Sequence, residues 1–304
     1  MSSTSKGYAF VITSTFLTGC IYTLGKAALE EITPEQLVAW IFMVAAVPLG
    51  IWSAYIGKFS ELRSCSKRDW VYILAFSAFS IAALQTMWMG LQGLDPTVAS
   101  FIGRLQTLVT VTLGLLFLKE RFRLHEAMGG LVLIFGIVII RISFDVALSY
   151  WFWMMVASGV FFGITEIFAK QSVRHIHPIP LNFVRNSIIA VVFTFVVLLR
   201  GQHLFDLGGV FWHVVAIGII GPLFSRLCFL FAMRHIDISK VALLNQIQPV
   251  FVFILAFTFM GMIPSMREMA GGMLILIGAL VLMGGRRVLL HSSRQNQHLK
   301  NIGK

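Results

Sequence analysis

Residues 94–121 read LDPTVASFIGRLQTLVTVTLGLLFLKER, and the apolar part from Pro96 to Leu118 is long enough to cross a bilayer. Arg104 and Gln106 lie inside this apolar part. An arginine at the centre of a membrane helix costs about 2.5–3.5 kcal/mol on insertion scales, and such residues face protein or a water-filled cavity. The stretch therefore predicts a membrane span that borders a polar interior.

The rest of the chain is apolar as well. It has 304 residues, of which 58% are hydrophobic and 12% charged, whereas a soluble domain carries about 25% charged residues. Windows of about 20 apolar residues, enough to span the hydrocarbon core, recur along it. They predict an all-α integral membrane protein with ten transmembrane helices, at residues 8–28, 35–56, 69–91, 96–118, 124–142, 149–169, 178–199, 209–232, 238–261 and 265–285.

The positive charges are unevenly divided between the two sides of these predicted spans. The side that holds both termini carries 17 lysines and arginines, whereas the opposite loops carry Arg141, Arg200 and Arg267. Since positive charge concentrates in cytoplasmic loops, both termini are expected in the cytoplasm. The net charge of +11 is thus a sign of topology, and no nucleic-acid partner is predicted. Short termini without a recognisable cleaved signal favour a bacterial inner membrane.

The opening stretch has a second copy in the chain. A shift of 142 residues places it without gaps on IDISKVALLNQIQPVFVFILAFTFMGMI (236–263), where Asp95 meets Asp237 and Gln106 meets Gln248. The same shift carries 126–136 onto 268–278, and a shift of 144 aligns the first two spans of each half. The chain therefore divides into a five-helix repeat at 1–142, a second at 149–286 and a basic cytoplasmic tail at 287–304.

An odd number of spans gives the two repeats opposite orientations in the membrane. Inverted repeats are typical of secondary transporters, whose substrate sites lie near the midplane between the halves. We therefore predict two inverted five-helix repeats around a central cavity, with alternating access between them. Because both halves belong to one polypeptide, a monomer could suffice, and a dimer stays open.

In three features together, the sequence resembles the EamA-type family, the ten-helix branch of the drug/metabolite transporter superfamily. They are the Lys–Pro–Arg order in KQSVRHIHPIPLNFVR (170–185), the 94–121 block and the glycines of the fifth span. The resemblance covers nearly the whole chain and implies a metabolite carrier, often an exporter, with a central cavity lined by both halves. Two positions depart from it: Ile41 stands opposite Arg185, and Met262 replaces the usual acidic residue. No relative's substrate is therefore carried over.

Arg104 is the first candidate for substrate binding. It lies eight residues into its span, about 12 Å deep at 1.5 Å per residue, and its guanidinium could hold a carboxylate bidentately. The alternative is a structural arginine bonded to helix-end carbonyls or to Asp95. Pro249 should also free the carbonyl of Asn245. The predicted substrate-binding residues are Arg104, Gln106, Gln248, Asn245, Gln246, Gln85, Trp88 and Arg226.

Each of these predictions has a structural alternative. The amides could form hydrogen bonds between helices, and Arg226 could reach the membrane surface. Glu166 could couple transport to protons, but Lys170 follows four residues later and favours an ion pair. A second set of residues, for coupling or ion pairing, is therefore Glu166, Lys170, Arg185 and Lys26. The glycines at 129, 130 and 136, and at 271, 272 and 278, are predicted to let helices approach closely.

The sequence favours transport over catalysis. An enzyme would need a nucleophile with a base, or paired acids, and the chain has no GxSxG motif and one buried acid, Glu166. No cofactor or metal is predicted, because Cys20, Cys65 and Cys228 are far apart and His175 and His177 have no further ligands nearby. A channel or scaffold is disfavoured by the inverted repeat.

The predicted function is a secondary transporter, and more specifically an exporter, of a small carboxylate-bearing metabolite such as an amino acid. The alternative is a carrier or exchanger of phosphorylated or other organic anions, should Arg104, Arg185 and Arg226 converge. Four cations against one acid within the spans argue against a cationic drug. The predicted partners are the small-molecule substrate and the lipid bilayer.

Overall fold

The computed structural model of the chain describes residues 3–118, 124–142, 146–236, 241 and 244–281. The predicted tail at 287–304 lies outside these residues. Within them, six helices are long and apolar enough to cross a bilayer, and they correspond to six of the predicted spans. These six are Ser5–Ala28, Pro34–Tyr55, Lys67–Gly93, Tyr150–Ser172, Pro178–Leu199 and Gly208–His235.

Short turns join the helices, and polar residues cap several of them. Thr33 and Gln36 form a reciprocal capping box at the start of one helix, and Ser66 and Asp69 form another. In chain order the helices are α1 (Ser3–Ala28), α2 (Pro34–Tyr55), α3 (Phe59–Arg63), α4 (Lys67–Gly93), α5 (Pro96–Ile102), α6 (Leu105–Leu118), α7 (Leu124–Ile142), α8 (Val146–Ser172), α9 (Pro178–Leu199), α10 (Phe211–Gly218), α11 (Arg226–His235), α12 (Gln248–Met260) and α13 (266–281).

Two of the predicted spans are interrupted near their middle. The span at 96–118 breaks at Gly103 and Arg104 between α5 and α6, and the span at 238–261 breaks at 246–247 before α12. Proline lacks an N–H, so the second break follows from Pro249 as predicted. The first was not predicted; Gly103, a poor helix former, stands there. A shift of 142 places Arg104 on Gln246, so the two breaks fall on matching positions.

The predicted span at 209–232 is also irregular. Between α10 and α11 the residues Ile219–Ser225 form a π-helical turn that contains Pro222. The carbonyl of Pro222 accepts hydrogen bonds from Asn182 Nδ2 at 2.7 Å and Asn186 Nδ2 at 3.2 Å. Turns of this kind often occur at functional sites, since they widen the helix and turn its carbonyls outward. This turn lies against the interior of the bundle.

The helices pack around a common interior. α8 packs against α4 and α6, α1 packs against α11 and α12, and α2 packs against α9. The largest fully buried side chains include Phe42, Phe76 and Trp88. Together these elements surround a cavity into which polar side chains from both halves of the chain project.

Glycines allow α7 and α13 to touch through their backbones. A Cβ atom added at Gly136 would lie 2.6 Å from the carbonyl oxygen of Gly271, and one added at Gly271 would lie 2.8 Å from that of Gly136. Distances this short leave no room for a side chain. The close helix approach predicted from the glycines is therefore present at this pair.

Gly136→Leu is expected to lower the melting temperature of the detergent-solubilised protein by several degrees. The new side chain must separate α7 from α13, and overpacking of this kind costs about 1–3 kcal/mol. The matched control is Val138→Leu, which adds bulk two residues away at a position that is 45% exposed. Thermal unfolding followed by tryptophan fluorescence measures the difference, and equal melting temperatures for the two variants would contradict the close contact.

Hydrogen bonds join the two halves at both ends of the bundle. At one end, the backbone N–H of His177 donates to Glu61 Oε2 at 2.7 Å. Burial raises the pKa of Glu61, but hydrogen bonds from Lys58 and His177 outweigh it, so this pKa lies below the ordinary value. At the other end, Trp40 Nε1 donates to the carbonyl of Leu204 at 2.6 Å. α2 and α9 are therefore linked, directly or through the segments that flank them, near both of their ends.

Candidate functional site

The central cavity has a volume of about 150 Å³. An engineered cavity of about that volume accommodates benzene, so the space suits a compact organic solute. Residues of both halves line it. The polar and aromatic lining includes Ser14, Thr18, Tyr22, Trp88, Arg104, Gln106, Ser158, Glu166, Arg185, Ser225, Arg226, Asn245 and Gln248.

Glu166 and Arg226 form an ion pair in the cavity wall. Arg226 Nη1 lies 2.9 Å from Glu166 Oε1, and the two side chains are 14% and 5% exposed, respectively. Among the described residues, Glu166 Oε2 and the Nε and Nη2 atoms of Arg226 have no hydrogen-bond partner. An unsatisfied buried polar group costs about 1–3 kcal/mol, and more when it is charged. These atoms are therefore placed to bind a polar solute or water.

Arg185 lies beside this pair and shares an aromatic neighbour with it. Its guanidinium carbon is 5.1 Å from the ring centroid of Phe76, and that of Arg226 is 5.2 Å from the same centroid. Arg185 Nε also donates to Ser80 Oγ at 2.9 Å. Cation–π contacts of this length stabilise a charge without neutralising it. The ring of Phe76 therefore contacts two guanidinium groups and helps to stabilise both charges.

The lining carries more positive than negative charge. Arg104, Arg185 and Arg226 all border the cavity, and Glu166 is the one acidic residue among the described residues of its lining. Each buried charge loses several kcal/mol of hydration, which an opposite charge close by, together with hydrogen bonds, can restore. The two positive charges in excess therefore favour a solute with a negative group. Arg185 and Arg226 share the ring of Phe76, and Arg104 borders the same cavity. Convergence of all three on one solute, the condition that the sequence left open, stays a prediction.

Arg104 is held by protein atoms. It donates from Nη1 to the carbonyl of Asn245 and from Nη2 to Gln248 Oε1, both at 2.7 Å. A longer bond of 3.3 Å joins Nε to the carbonyl of Ser100. The carbonyl of Asn245, which Pro249 leaves without its helical donor, thus accepts a hydrogen bond from Arg104, because the two helix breaks face each other. This geometry matches the structural alternative for Arg104 more closely than the carboxylate-binding one.

A further hydrogen bond links the same two helix breaks, and here the donor belongs to the second break and the acceptor to the segment after the first. Gln246 Nε2 donates to Thr107 Oγ1 at 2.5 Å, and Gln246 is the counterpart of Arg104 under the shift of 142. Gln246 is buried but does not line the cavity, whereas its neighbours Asn245 and Gln248 do. Gln106 borders the cavity as predicted. Gln246 therefore links helices, which was the alternative for the amides.

Two further predicted residues, Gln85 and Lys26, lie away from the central cavity. Gln85 Nε2 donates to Glu35 Oε1 at 2.6 Å, and Arg200 donates to the same oxygen at 2.7 Å. Gln85 is therefore bonded at that end of the bundle and does not border the central cavity, and its role in substrate binding stays a prediction. Lys26 Nζ donates to the carbonyls of Leu91 and Gln92 at 3.1 and 2.8 Å, so it is anchored at the end of α4.

The partner of Glu166 also differs from the predicted one. The ion pair expected with Lys170, one turn along the same helix, is made with Arg226 across the cavity. Arg226 directly follows the π-helical turn and pairs with a residue 60 positions away, and helical spacing in the sequence does not reveal such a partner. Lys170 lines a second cavity nearer the end of α8.

Part of the cavity lining could have been predicted from a regular spacing of residues in the sequence. Ser14, Thr18 and Tyr22 follow one another at four-residue spacing on α1 and all face the cavity. The shift of 144 that aligns the early spans carries them onto residues of α8 that face it too. These counterparts are Ser158, Phe162 and Glu166.

The lining points to binding and gives no support to a metal centre. No group of three or more His, Cys, Asp or Glu side chains that could hold a metal occurs within the described residues. Cys20, Cys65 and Cys228 are free thiols, and none of them borders the central cavity. The arrangement suits a solute held by hydrogen bonds and charge.

An apolar helical body around a charged cavity defines an integral membrane protein of the transporter class. The model of the EamA-like transporter family matches the chain twice, at residues 5–142 and 149–284. The chain belongs to the EamA-like transporter family, within the drug/metabolite transporter superfamily. The family prediction made from the sequence is confirmed.

Several relatives are similar along part or most of the chain. An uncharacterized transporter of Synechocystis is 25% identical over 239 residues, which are 73% of this chain and 67% of that protein. An uncharacterized transporter of Methanothermobacter thermautotrophicus is 22% identical over 294 residues, or 91% of this chain and 85% of that protein. The uncharacterized inner membrane transporter YhbE of Escherichia coli is 27% identical over 133 residues, 43% of this chain and 41% of that protein.

A solved crystal structure shares the fold. Its TM-score against this chain is 0.66 at 20% sequence identity, and the match covers 95% of this chain and 98% of the other. At that identity the likeness concerns the fold alone. The relatives' names support a membrane transporter and name no substrate.

Proposed function

We propose that this protein is a secondary transporter that exports small carboxylate-bearing metabolites such as amino acids. The observation that carries the proposal is the Glu166–Arg226 pair, which presents one carboxylate oxygen and two guanidinium nitrogens that lack partners among the described residues. A guanidinium binds a carboxylate through parallel hydrogen bonds. Arg226, and not Arg104, would therefore hold the carboxylate of the solute.

The opposite charges of this pair suit a zwitterion. An α-amino acid carries its carboxylate and its ammonium group on one carbon atom, and Arg226 and Glu166 present the complementary charges side by side. Trp88 Nε1, Ser158 Oγ and Gln248 Nε2 add further buried polar atoms without partners among the described residues. A cavity of about 150 Å³ leaves room for a compact amino acid such as alanine or serine.

Alternating access between two inverted five-helix repeats is the proposed mechanism. It is supported by the matching helix breaks, which are typical of midplane sites in transporters built from repeats. It is also supported by the packing, since α4 on α8 is the counterpart of α11 on α1 when the halves are exchanged. Exchange of the two halves' conformations would open the cavity to one side and then to the other.

The proposed location is a bacterial inner membrane with both termini in the cytoplasm. The support is the distribution of 17 basic residues against three across the predicted loops. In this orientation α8 and α11 end on the cytoplasmic side. Export then begins with a solute that enters between those ends.

A second candidate substrate class is favoured by one observation. Arg104, Arg185 and Arg226 line the same cavity with a single glutamate. A dicarboxylate or a phosphorylated metabolite would neutralise the excess charge more completely than a zwitterion would. This class is therefore the alternative to amino acids for the same site.

Counterflow in proteoliposomes tests the proposal. Vesicles are loaded with unlabelled solute, and uptake of labelled alanine, serine, succinate or glycerol 3-phosphate is followed. We expect saturable, transiently concentrative uptake of alanine or serine. Preference for succinate or glycerol 3-phosphate would select the second class, and flux without counterflow would indicate a channel. Failure to exchange any of the four, in protein with an intact unfolding transition, would refute both substrate classes.

A further inference from the structure

A second cavity lies at the ends of α8 and α11. It has a volume of about 320 Å³ and is open to one side. We call it the basic vestibule, because three of its five lining residues are cationic. Its lining consists of Lys170, Val173, Arg174, Met233 and Arg234.

The basic vestibule lies in line with the central ion pair. Val173 follows Glu166 by seven residues on one segment, and Met233 follows Arg226 by seven on the other. Seven residues are about two helical turns, or about 10 Å, and return to the same helix face. The vestibule therefore lies about two turns beyond the Glu166–Arg226 pair along both segments, and in the proposal below this pair is the partition between the vestibule and the central cavity.

The charges of the vestibule are suited to anions. Lys170, Arg174 and Arg234 contribute three cations, and the part of the lining that the structure describes includes no acidic residue. Arg234 Nε donates to the carbonyl of Val173 at 3.3 Å, and Arg174 Nη1 donates to Gln171 Oε1 at 3.1 Å. A guanidinium has five N–H donors. These single bonds orient each guanidinium and leave most of its donors for a carboxylate or phosphate.

We propose that the basic vestibule is a peripheral anion-binding site on the transport path, where the solute binds before it reaches the central cavity. This inference rests on the proposed function. A carboxylate held by Arg174 and Arg234 lies about two turns from Arg226. Its next step is to displace Glu166 from Arg226, which opens the partition. The site thus raises the local concentration of solute at the partition.

Transport measured from each face tests this site. Inside-out and right-side-out membrane vesicles carry the wild type, Arg174→Gln/Arg234→Gln, or the control Arg63→Gln/Arg68→Gln. The control removes two exposed arginines from the same end of the bundle, outside the vestibule lining. Labelled alanine and succinate are the probes.

We expect the vestibule variant to raise KM for succinate about tenfold from the face that bears the site, the lower end of the range for electrostatic steering of a charged solute, and KM for zwitterionic alanine by less. Vmax, and KM from the opposite face, should stay at wild-type values. Added salt should raise the wild-type KM and leave that of the variant unchanged, because salt screens exposed charges. An unchanged KM in the vestibule variant, or an equal rise in the control, would overturn the proposal.

Lipid composition separates a solute site from a site for lipid headgroups. Proteoliposomes of neutral phosphatidylcholine are compared with vesicles that also contain anionic phosphatidylglycerol. A solute site predicts the KM difference between wild type and variant in both compositions. A difference confined to anionic vesicles would assign the pocket to lipid and overturn the proposal. If the wild type transports neither probe in any vesicle, the failure lies with the proposed function and not with the vestibule alone.

Discussion

Replacing Arg226 with glutamine should lower kcat/KM for exchange by about 10²–10³-fold. Arg226 is paired with Glu166 in the cavity wall and has two unpartnered guanidinium nitrogens among the described residues. Truncating one partner of a buried, hydrogen-bonded charge pair at a binding site costs about 2–5 kcal/mol of binding free energy, and about 1.4 kcal/mol corresponds to a tenfold change. The substitution also removes the donors proposed for the carboxylate. Counterflow of alanine and succinate at several concentrations measures the effect.

The double variant Glu166→Gln/Arg226→Gln distinguishes a binding role from a structural one. In the single variant Glu166 stays behind as an unpaired buried charge, so its melting temperature should fall. In the double variant the two amides can bond to each other without a charge, and the melting temperature should recover. Exchange should remain lost in both. Recovery of exchange along with stability would mean that the pair is structural and that the solute binds elsewhere.

Arg104→Gln should destabilise the protein more than any other single change at the helix breaks. It removes the bonds to Asn245 and Gln248 that tie one broken helix to the other. Each buried acceptor left unsatisfied costs about 1–3 kcal/mol. The melting temperature should fall by several degrees, and Vmax should fall with it because the two breaks lose their alignment. At a temperature where the variant is folded, KM for alanine should change by less than about threefold.

Thr107→Val is the matched control for Arg104→Gln. It removes the one bond that Thr107 accepts from Gln246 across the same pair of breaks. It takes the bond from one buried donor, whereas Arg104→Gln takes bonds from two buried acceptors, so at about 1–3 kcal/mol for each group the loss of stability should be about half as large. Thermal unfolding and counterflow are measured for both variants. A large rise in KM with an unchanged melting temperature in Arg104→Gln would instead place Arg104 at the solute.

The sequence predicted those parts of the fold that depend on local composition. Six apolar windows appear as long helices because about 20 apolar residues satisfy both the backbone and the hydrocarbon thickness. The break before Pro249 followed from the missing N–H of proline. The break at Gly103 and the π turn at Pro222 were not predicted, because neither residue type by itself fixes how a helix continues.

The site was harder to predict than the spans. Buried polar residues in apolar segments were recognised correctly as interior, and Arg104, Gln106, Asn245, Gln248 and Arg226 all border the cavity. Their partners depend on contacts between distant segments. Arg104 bonds to a carbonyl 141 residues away, and Glu166 pairs across 60 residues. Spacing along one helix could not distinguish these partners from Lys170 or from a solute.

The excess charge of the cavity has a consequence for the energetics of export. A carrier of this kind connects its cavity to one compartment at a time, so two uncompensated positive charges would experience the voltage of the compartment they face. One elementary charge that crosses the full membrane field changes the energy by about 2.3 kcal/mol per 100 mV. A negative cell interior would therefore favour the empty, inward-facing carrier, which is the form that an exporter loads. A bound anion would cancel part of that bias, so membrane voltage itself would drive the return of the empty carrier.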